Sequence, residues 1–275
     1  MPESLEELAL QADDLLVQHA TSADGIRACV PLMHRALDEK WHLAALHQLL
    51  RQTLAGTREV TPDLSSGQFV VLAASRTSTW AVLRHGSKSR RLYMTPNHYI
   101  AARVAGGELH VDRYELPAIS DEAVLDPGAA LVPRGSSKAC LGEIFLKEGR
   151  TDVLDLEAPE QPAFTLRLNT APYGDYEWAF ERATLRPIKI SAVRQLESNL
   201  TTIFELLRST GCLTSLEHLL PFVDHRMHFI RWNAIKAIGA IDVDAGLAQV
   251  RRAADDPHPD VRHAARQTLA ANAVA

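Results

Sequence analysis

The sequence predicts an α+β chain in which a central antiparallel β-barrel or sandwich is flanked by helices on both sides. Three observations carry this. Nine short runs from QFVVLAAS to FTLRLNT are rich in Val, Leu, Ile, Tyr and Thr and separated by Gly, Pro, Asp, Ser or Asn, the pattern of an all-β domain. On either side the apolar period is that of a helix. Near the C-terminus, DHRMHFIRWNAIKAIGAI (224–241) overlays DDPHPDVRHAARQTLAA (255–271) at an offset of 31 residues. The implied domains are N-terminal helices over 1–56, a β domain over 57–188 and helical repeats over 189–275.

In the first region, Leu5, Leu8, Leu10, Leu15 and Leu16 are expected to form a helical stripe, with Ser4 and Glu7 at capping-box spacing. A second helix is expected from about Ser22, and a third over 37–54, where Leu43, Leu46, Leu49 and Leu50 recur at three and four. His42 and His47 are five apart and so do not share a helix face as a metal pair would.

The β region centres on 97–141, read as two strands joined at Gly106-Gly107 and a third between Pro127-Gly128 and Pro133-Arg134-Gly135. On the first strand Tyr99, Ala101 and Arg103 share one face, and Ile100, Ala102 and Val104 the other. On its partner, Leu109 and Val111 oppose Glu108, His110, Asp112 and Tyr114 and are the better candidates for the core. Beyond the β region, Val193, Leu196, Leu200, Ile203, Phe204 and Leu207 form one long amphipathic helix closed by Gly211. In the repeat, Ile230 falls on Val261, Arg231 on Arg262 and Ala234 on Ala265, as in a solenoid whose units bury their apolar faces by stacking.

Composition bounds the function. The chain has 275 residues, is 46% hydrophobic and 23% charged, and carries a net charge of -5 without blocks of like charge. That argues against non-specific nucleic-acid binding, which needs clustered Lys and Arg. Cys29, Cys140 and Cys212 form no CxxC pair, which fits a reducing cytoplasm and disfavours a disulfide framework. The acidic start, MPESLEELALQADDLL, lacks the basic region of a signal peptide, and no apolar run is long enough for a membrane span. A cytoplasmic protein is expected. No nucleophile elbow, P-loop or dinucleotide glycine motif is present.

Two resemblances follow from these motifs. D-x-H-P-D-V-R-x-A-A, at 256–265, resembles the second-helix signature of HEAT-like repeats. It implies that Val261 and Ala265 point into a stack, that Arg262 ties neighbouring units through an Asp in the turn, and that the repeats present a surface for a protein partner. GGELHVDRYELP (106–117) followed by LDPGAALVPRGSSKACL (125–141) resembles the cupin family, with Gly128, Pro133 and Gly135 in its G-x(4–5)-P-x-G motif. That resemblance implies a cupin-like barrel over about residues 67–170 and admits a homodimer paired through its sheets. Its metal-ligand positions fall on Lys138, within Leu92 to Thr95, and near Tyr99, none of them His or Glu. An ammonium has no lone pair to offer a metal, so no cofactor is expected at the family's usual centre.

The leading reading is a non-catalytic, cupin-like ligand-binding or scaffold protein. Arg91, Arg103, Lys138, Tyr176 and Trp178 are the candidate ligand-binding residues, for an anionic small molecule such as a carboxylate or phosphate. Lys88, Arg90 and Arg134 extend the basic set, and Tyr176, Trp178 and Phe180 alternate on one strand face, to close the barrel or to stack on a ligand. The alternative is an iron(II) oxygenase. His110-x-Asp112 has the spacing of two ligands of a facial triad, and His98, on the facing strand, is its candidate third ligand.

Overall fold

A computed structural model describes residues 5–56, 69–87, 89–119 and 121–273. Ser4 of the expected capping box and Lys88 of the basic set lie outside them. The chain forms two compact units, Met1–Ala118 with Pro127–Lys189, and Ile119–Asp126 with Ile190–Ala275. It is a mixed α+β protein with antiparallel sheets and a helical C-terminal region.

The first unit opens with helices α1 (Leu5–Gln18), α2 (Ala23–Ala28), α3 (Val30–Asp38) and α4 (Trp41–Leu54). Ser22 caps α2 by accepting the Gly25 N–H. Eleven strands follow: β1 (Phe69–Ala74), β2 (Ser78–His85), β3 (Arg91–Met94), β4 (Tyr99–Gly106), β5 (Leu109–Glu115), β6 (Val132–Ala139), β7 (Ile144–Lys147), β8 (Asp152–Glu157), β9 (Ala163–Thr170), β10 (Tyr176–Glu181) and β11 (Pro187–Ala192). They form a five-stranded sheet in the order β1-β2-β9-β4-β7 and two three-stranded sheets, β11-β10-β3 and β6-β5-β8.

Strand alternation gives the five-stranded sheet two different faces. Trp80, Ile100, Ala102, Leu166 and Leu168 share a core with Leu8, Leu16, Ile26 and Met33 of the helices. The N-terminal helices are therefore part of the unit that holds the strands. On the opposite face, Tyr99, Ala101, Phe145 and Ala163 pack with Leu109, Val111 and Ala139 of the β6-β5-β8 sheet. Asp13 of α1 also ties the helices to the β1–β2 turn, accepting the Ser75 hydroxyl at 2.6 Å and the Arg76 N–H at 3.1 Å.

Gly106-Gly107 does not close a hairpin. β4 pairs with β9 and β7, whereas β5 pairs with β6 and β8, so the chain turns a corner there from one sheet into another. Gly106 has φ +84°, and a Cβ on it would lie 2.1 Å from the Pro162 carbonyl oxygen. Only glycine permits that corner.

The second unit contains α5 (Gln195–Thr210), α6 (Leu216–Leu219), α7 (His228–Ile241), α8 (Val243–Ala253) and α9 (Pro259–Ala273). Gly211, at φ 62°, ends α5. The 31-residue offset reappears as repeated geometry. Arg231 Nη1 donates to His225 O and Arg226 O, and Arg262 Nη1 to Asp256 O and Pro257 O, the same two positions one repeat later. The tie between the two turns is Arg231, in a bidentate pair with Asp256 at 2.8 and 2.6 Å, while Arg262 stays within its own turn.

Helices α7 and α8 meet at Gly239 and Gly246, where a Cβ on Gly246 would lie 2.2 Å from Gly239 Cα. Gly246→Ala is expected to cost about 1–3 kcal/mol by overpacking, more than the helix propensity it gains. A Cβ on Gly239 meets nothing closer than 3.6 Å, so Gly239→Ala is expected to be neutral or slightly stabilising. Urea midpoints of the two variants, compared with the parent, check both.

Candidate functional site

The face of the five-stranded sheet turned away from the helices carries an unusual charge. Thr165, Arg167 and Asn169 of β9 alternate with the helix-facing Leu166 and Leu168. Arg167 stands opposite Ala81 of β2 and Ala101 of β4, both buried and small enough to leave room for a guanidinium. Its Cζ sits 4.0 Å from the centroid of the Tyr99 ring, in cation–π geometry. Lys147 of β7, opposite Tyr99 in the ladder, places Nζ 5.7 Å from the same centroid. Arg103 of β4 lies on this face and donates to Ala139 O at 3.1 Å; Arg113 of β5 donates to Leu146 O at 3.2 Å.

These cations differ in how they are satisfied. The Lys147 ammonium donates to Thr95 O at 2.7 Å, Thr95 Oγ1 at 3.0 Å and Asn97 O at 3.1 Å, a full set of neutral acceptors. Arg167 has no carboxylate partner among the described residues, and its buried Nε–H, like that of Arg103, has no acceptor. The Arg167 side chain is half-buried. A desolvated guanidinium without a counter-charge is costly to keep.

The electrostatics follow from that burial. Desolvation lowers the Arg167 pKa from its usual value. Burial, then the field of Arg167, pushes the Lys147 ammonium down to about 7. Burial also holds the carboxyls of Asp152 and Glu177 above the usual carboxylate range. His85, hydrogen-bonded to Thr165 Oγ1 at 2.9 Å, is pushed down to about 3 by burial and by Arg167, and so stays neutral. The interior thus brings the Arg167 guanidinium together with an aromatic ring and hydrogen-bond donors and acceptors, an arrangement suited to an anion carrying apolar surface.

Of the residues singled out from sequence, Arg103 lies on this inner face. Lys138 does not; it is exposed on β6 and bonds to Glu108 at 2.7 Å. Arg91 is exposed on β3. Tyr176 is half-buried, and Trp178 is fully buried, stacked on Phe180 with centroids 6.1 Å apart. The three residues of the iron reading are not brought together. His110 lies on the outer face of β5 with Nε2 3.0 Å from Glu108, and Asp112 on the same face accepts from Ser136 Oγ at 2.5 Å. His98 is buried; its Nδ1 accepts the Gly149 N–H at 3.0 Å and its ring stacks on Tyr173 at 4.7 Å. The reason is strand phase: His110 and Asp112 alternate with the inward Leu109 and Val111 and so point away from the space between the sheets. The positions where the cupin pattern expects ligands hold buried Leu92, buried Met94, Tyr99 and the outward Lys138, a set that does not fit a metal. Among the described residues, the side chains that do gather within ligand distance are His228, His258 and Asp260 of the second unit.

The sequence alone offers no reason to single out Arg167 or Lys147. Thr165-x-Arg167-x-Asn169 reads as the wet face of a half-exposed strand, and only the central position of β9 in its sheet turns it inward.

No protein-family model matches the chain, and no curated protein matches it in sequence. Among solved structures it is similar to the hydroquinone 1,2-dioxygenase PnpCD in complex with Cd2+ and 4-hydroxybenzonitrile, at 20% identity and a TM-score of 0.31, over 38% of this chain and 65% of that one. A hydroquinone 1,2-dioxygenase from Sphingomonas sp. TTNP3 with 4-hydroxybenzoate bound is similar at 16% identity and a TM-score of 0.31, over 38% and 66%. A cupin domain from Bordetella pertussis Tohama I is similar at 10% identity and a TM-score of 0.26, over 38% and 91%. The chain therefore spans just under two thirds of the length of either dioxygenase. At such TM-scores the fold rests on the strands themselves. No helix among the described residues is long and apolar enough to cross a membrane.

The depressed Lys147 pKa has a measurable consequence. Between about 7 and 10.5 the folded protein holds fewer protons at this site than the unfolded chain, so the lysine makes stability rise with pH across that window. Lys147→Met is expected to be less stable overall, because it strips donors from Thr95 and Asn97, and to flatten that rise. Chemical denaturation at intervals from pH 7 to 10 would show it; an unchanged slope would place the titration elsewhere.

Proposed function

We propose that the protein is a ligand-binding module whose cupin-like β unit holds a small organic anion against Arg167, with Tyr99 and Lys147 beside it, and whose HEAT-like helices offer a surface to a protein partner. The single observation that carries the anion reading is the Arg167 guanidinium, set in the interior over Tyr99 with an unbonded buried Nε and no carboxylate partner among the described residues. A chain gains nothing in stability from such a group, and a ligand carboxylate or phosphate would satisfy it bidentately. The cupin-like reading is supported by the two facing antiparallel sheets and by the glycine and proline motifs of the sequence. The HEAT-like reading is supported by the recurrence of the arginine contacts at a 31-residue offset. Cytoplasmic location remains the reading of the sequence, from its cysteine usage.

The rival, an iron(II) oxygenase using His98, His110 and Asp112, would require β5 to turn its outer face inward.

Differential scanning fluorimetry against mono- and dicarboxylates, aromatic carboxylates and phosphate monoesters tests the anion site. A true ligand at a hundredfold excess over its Kd should raise Tm by about 5 °C or more. Arg167→Met should abolish that shift while leaving the ligand-free protein as stable as the parent or more stable, by up to about 4 kcal/mol, because it removes a buried uncompensated charge. A variant that unfolds without ligand, with no anion acting on the parent, would make Arg167 a structural residue.

A further inference from the structure

The second unit contains a group of side chains that the anion site does not use. His228 opens α7, while His258 and Asp260 flank Pro259 at the start of α9. The two imidazoles stack face to face, with ring centroids 3.6 Å apart and planes 6° from parallel. One ligand atom from each ring and one carboxylate oxygen of Asp260 lie within 4.8 Å of one another. His258 is buried, His228 half-buried and Asp260 exposed, so the group lies at the edge of the helical core with one side open to solvent.

The hydrogen bonds of His258 decide which nitrogen is available. Its Nε2 is 3.1 Å from the carbonyl oxygen of Ala123. A carbonyl can only accept, so Nε2 carries the proton and Nδ1 keeps its lone pair. The Nδ1 atom faces the Asp260 N–H at 3.3 Å, a long bond from a first-turn amide that has no partner within its own helix. A carbonyl that locks the far nitrogen of a histidine is the usual outer support of a metal-ligating imidazole.

We propose that His228, His258 through Nδ1, and Asp260 form a site for a divalent transition-metal ion, with Zn(II) the best match. Two neutral imidazoles and one carboxylate are the donor set of a three-ligand zinc site whose fourth position is left to water or an incoming group. Ligands held about 2.1 Å from one tetrahedral ion lie about 3.4 Å apart, so binding draws the group together by roughly an ångström or more and turns the stacked rings until their in-plane lone pairs converge. Binding exchanges the long Asp260 N–H bond for a metal–nitrogen bond and leaves the Ala123 contact intact. The ion would join the first turns of α7 and α9, the two repeated helices, and through Ala123 it would also hold the 119–126 segment. This site is independent of Arg167, which is in the other unit.

The test uses the full chain without a histidine tag, stripped with chelator and titrated with Zn(II) by calorimetry at neutral pH, with bound metal counted by elemental analysis. The expected result is one ion per chain and a higher Tm when it is bound. Affinity should fall about tenfold or more in His228→Gln and in Asp260→Asn and be unchanged in the control His110→Gln. Asp260 is exposed, so Asp260→Asn should fold normally even if the stacked pair tolerates no change at His228. No stoichiometric ion, an affinity that both site variants leave intact, or an ion lost in His110→Gln would each overturn the assignment.

Discussion

The first unit depends on the burial of its five-stranded sheet on both faces. Residues of a strand alternate in direction, so covering one face with the N-terminal helices commits the other phase to the space between the sheets. In β9 the helix-facing phase is Leu166 and Leu168, and the remaining phase is Thr165, Arg167 and Asn169. A one-residue slip would bury Arg167 among the leucines of α1 and α3, so the register that satisfies the helices is also the one that delivers a guanidinium to the interior.

Once inside, that charge organises its neighbours. Tyr99 offers it a ring face, and Lys147 loses basicity under its field and its own burial. Small residues on the flanking strands, Ala81 and Ala101, leave room for it. Lys147 is tied to neutral carbonyls and a hydroxyl, a satisfied arrangement, whereas Arg167 keeps unspent donors. That contrast separates a lysine whose donors are satisfied from an arginine whose buried Nε–H is not.

The second unit uses the same chemistry for another end. Arg231 is buried, but its charge meets Asp256 in a bidentate pair and its remaining donors meet the carbonyls of its own turn. Glycine at 239 and 246 lets α7 and α8 approach almost backbone to backbone. The first turn of α7 and the start of α9 bring His228 and His258 together, although they are 30 residues apart and not equivalent within the 31-residue offset.

The sequence by itself determined the α+β class, the places where helical and strand periods change, the inward phase of Leu109 and Val111, and the repeat with its buried Ile230, Val261, Ala234 and Ala265. These are local properties: side-chain period, glycine and proline positions and the spacing of like residues. The sequence put Arg103 on one face with Tyr99 and Ala101 without deciding which way that face turned. What only the tertiary structure decided was which strands pair. Gly106-Gly107 reads as a hairpin turn because a tight corner and a hairpin need the same residue; the Pro162 carbonyl lying against Gly106 makes it a corner between sheets instead. The pairing leaves Lys138 outside with Glu108 and makes the site depend on Arg167, whose strand reads as half-wet until two sheets and a helical layer enclose it. Alternation fixes the two sides of a strand, but which side faces water is set by long-range packing that no local pattern encodes.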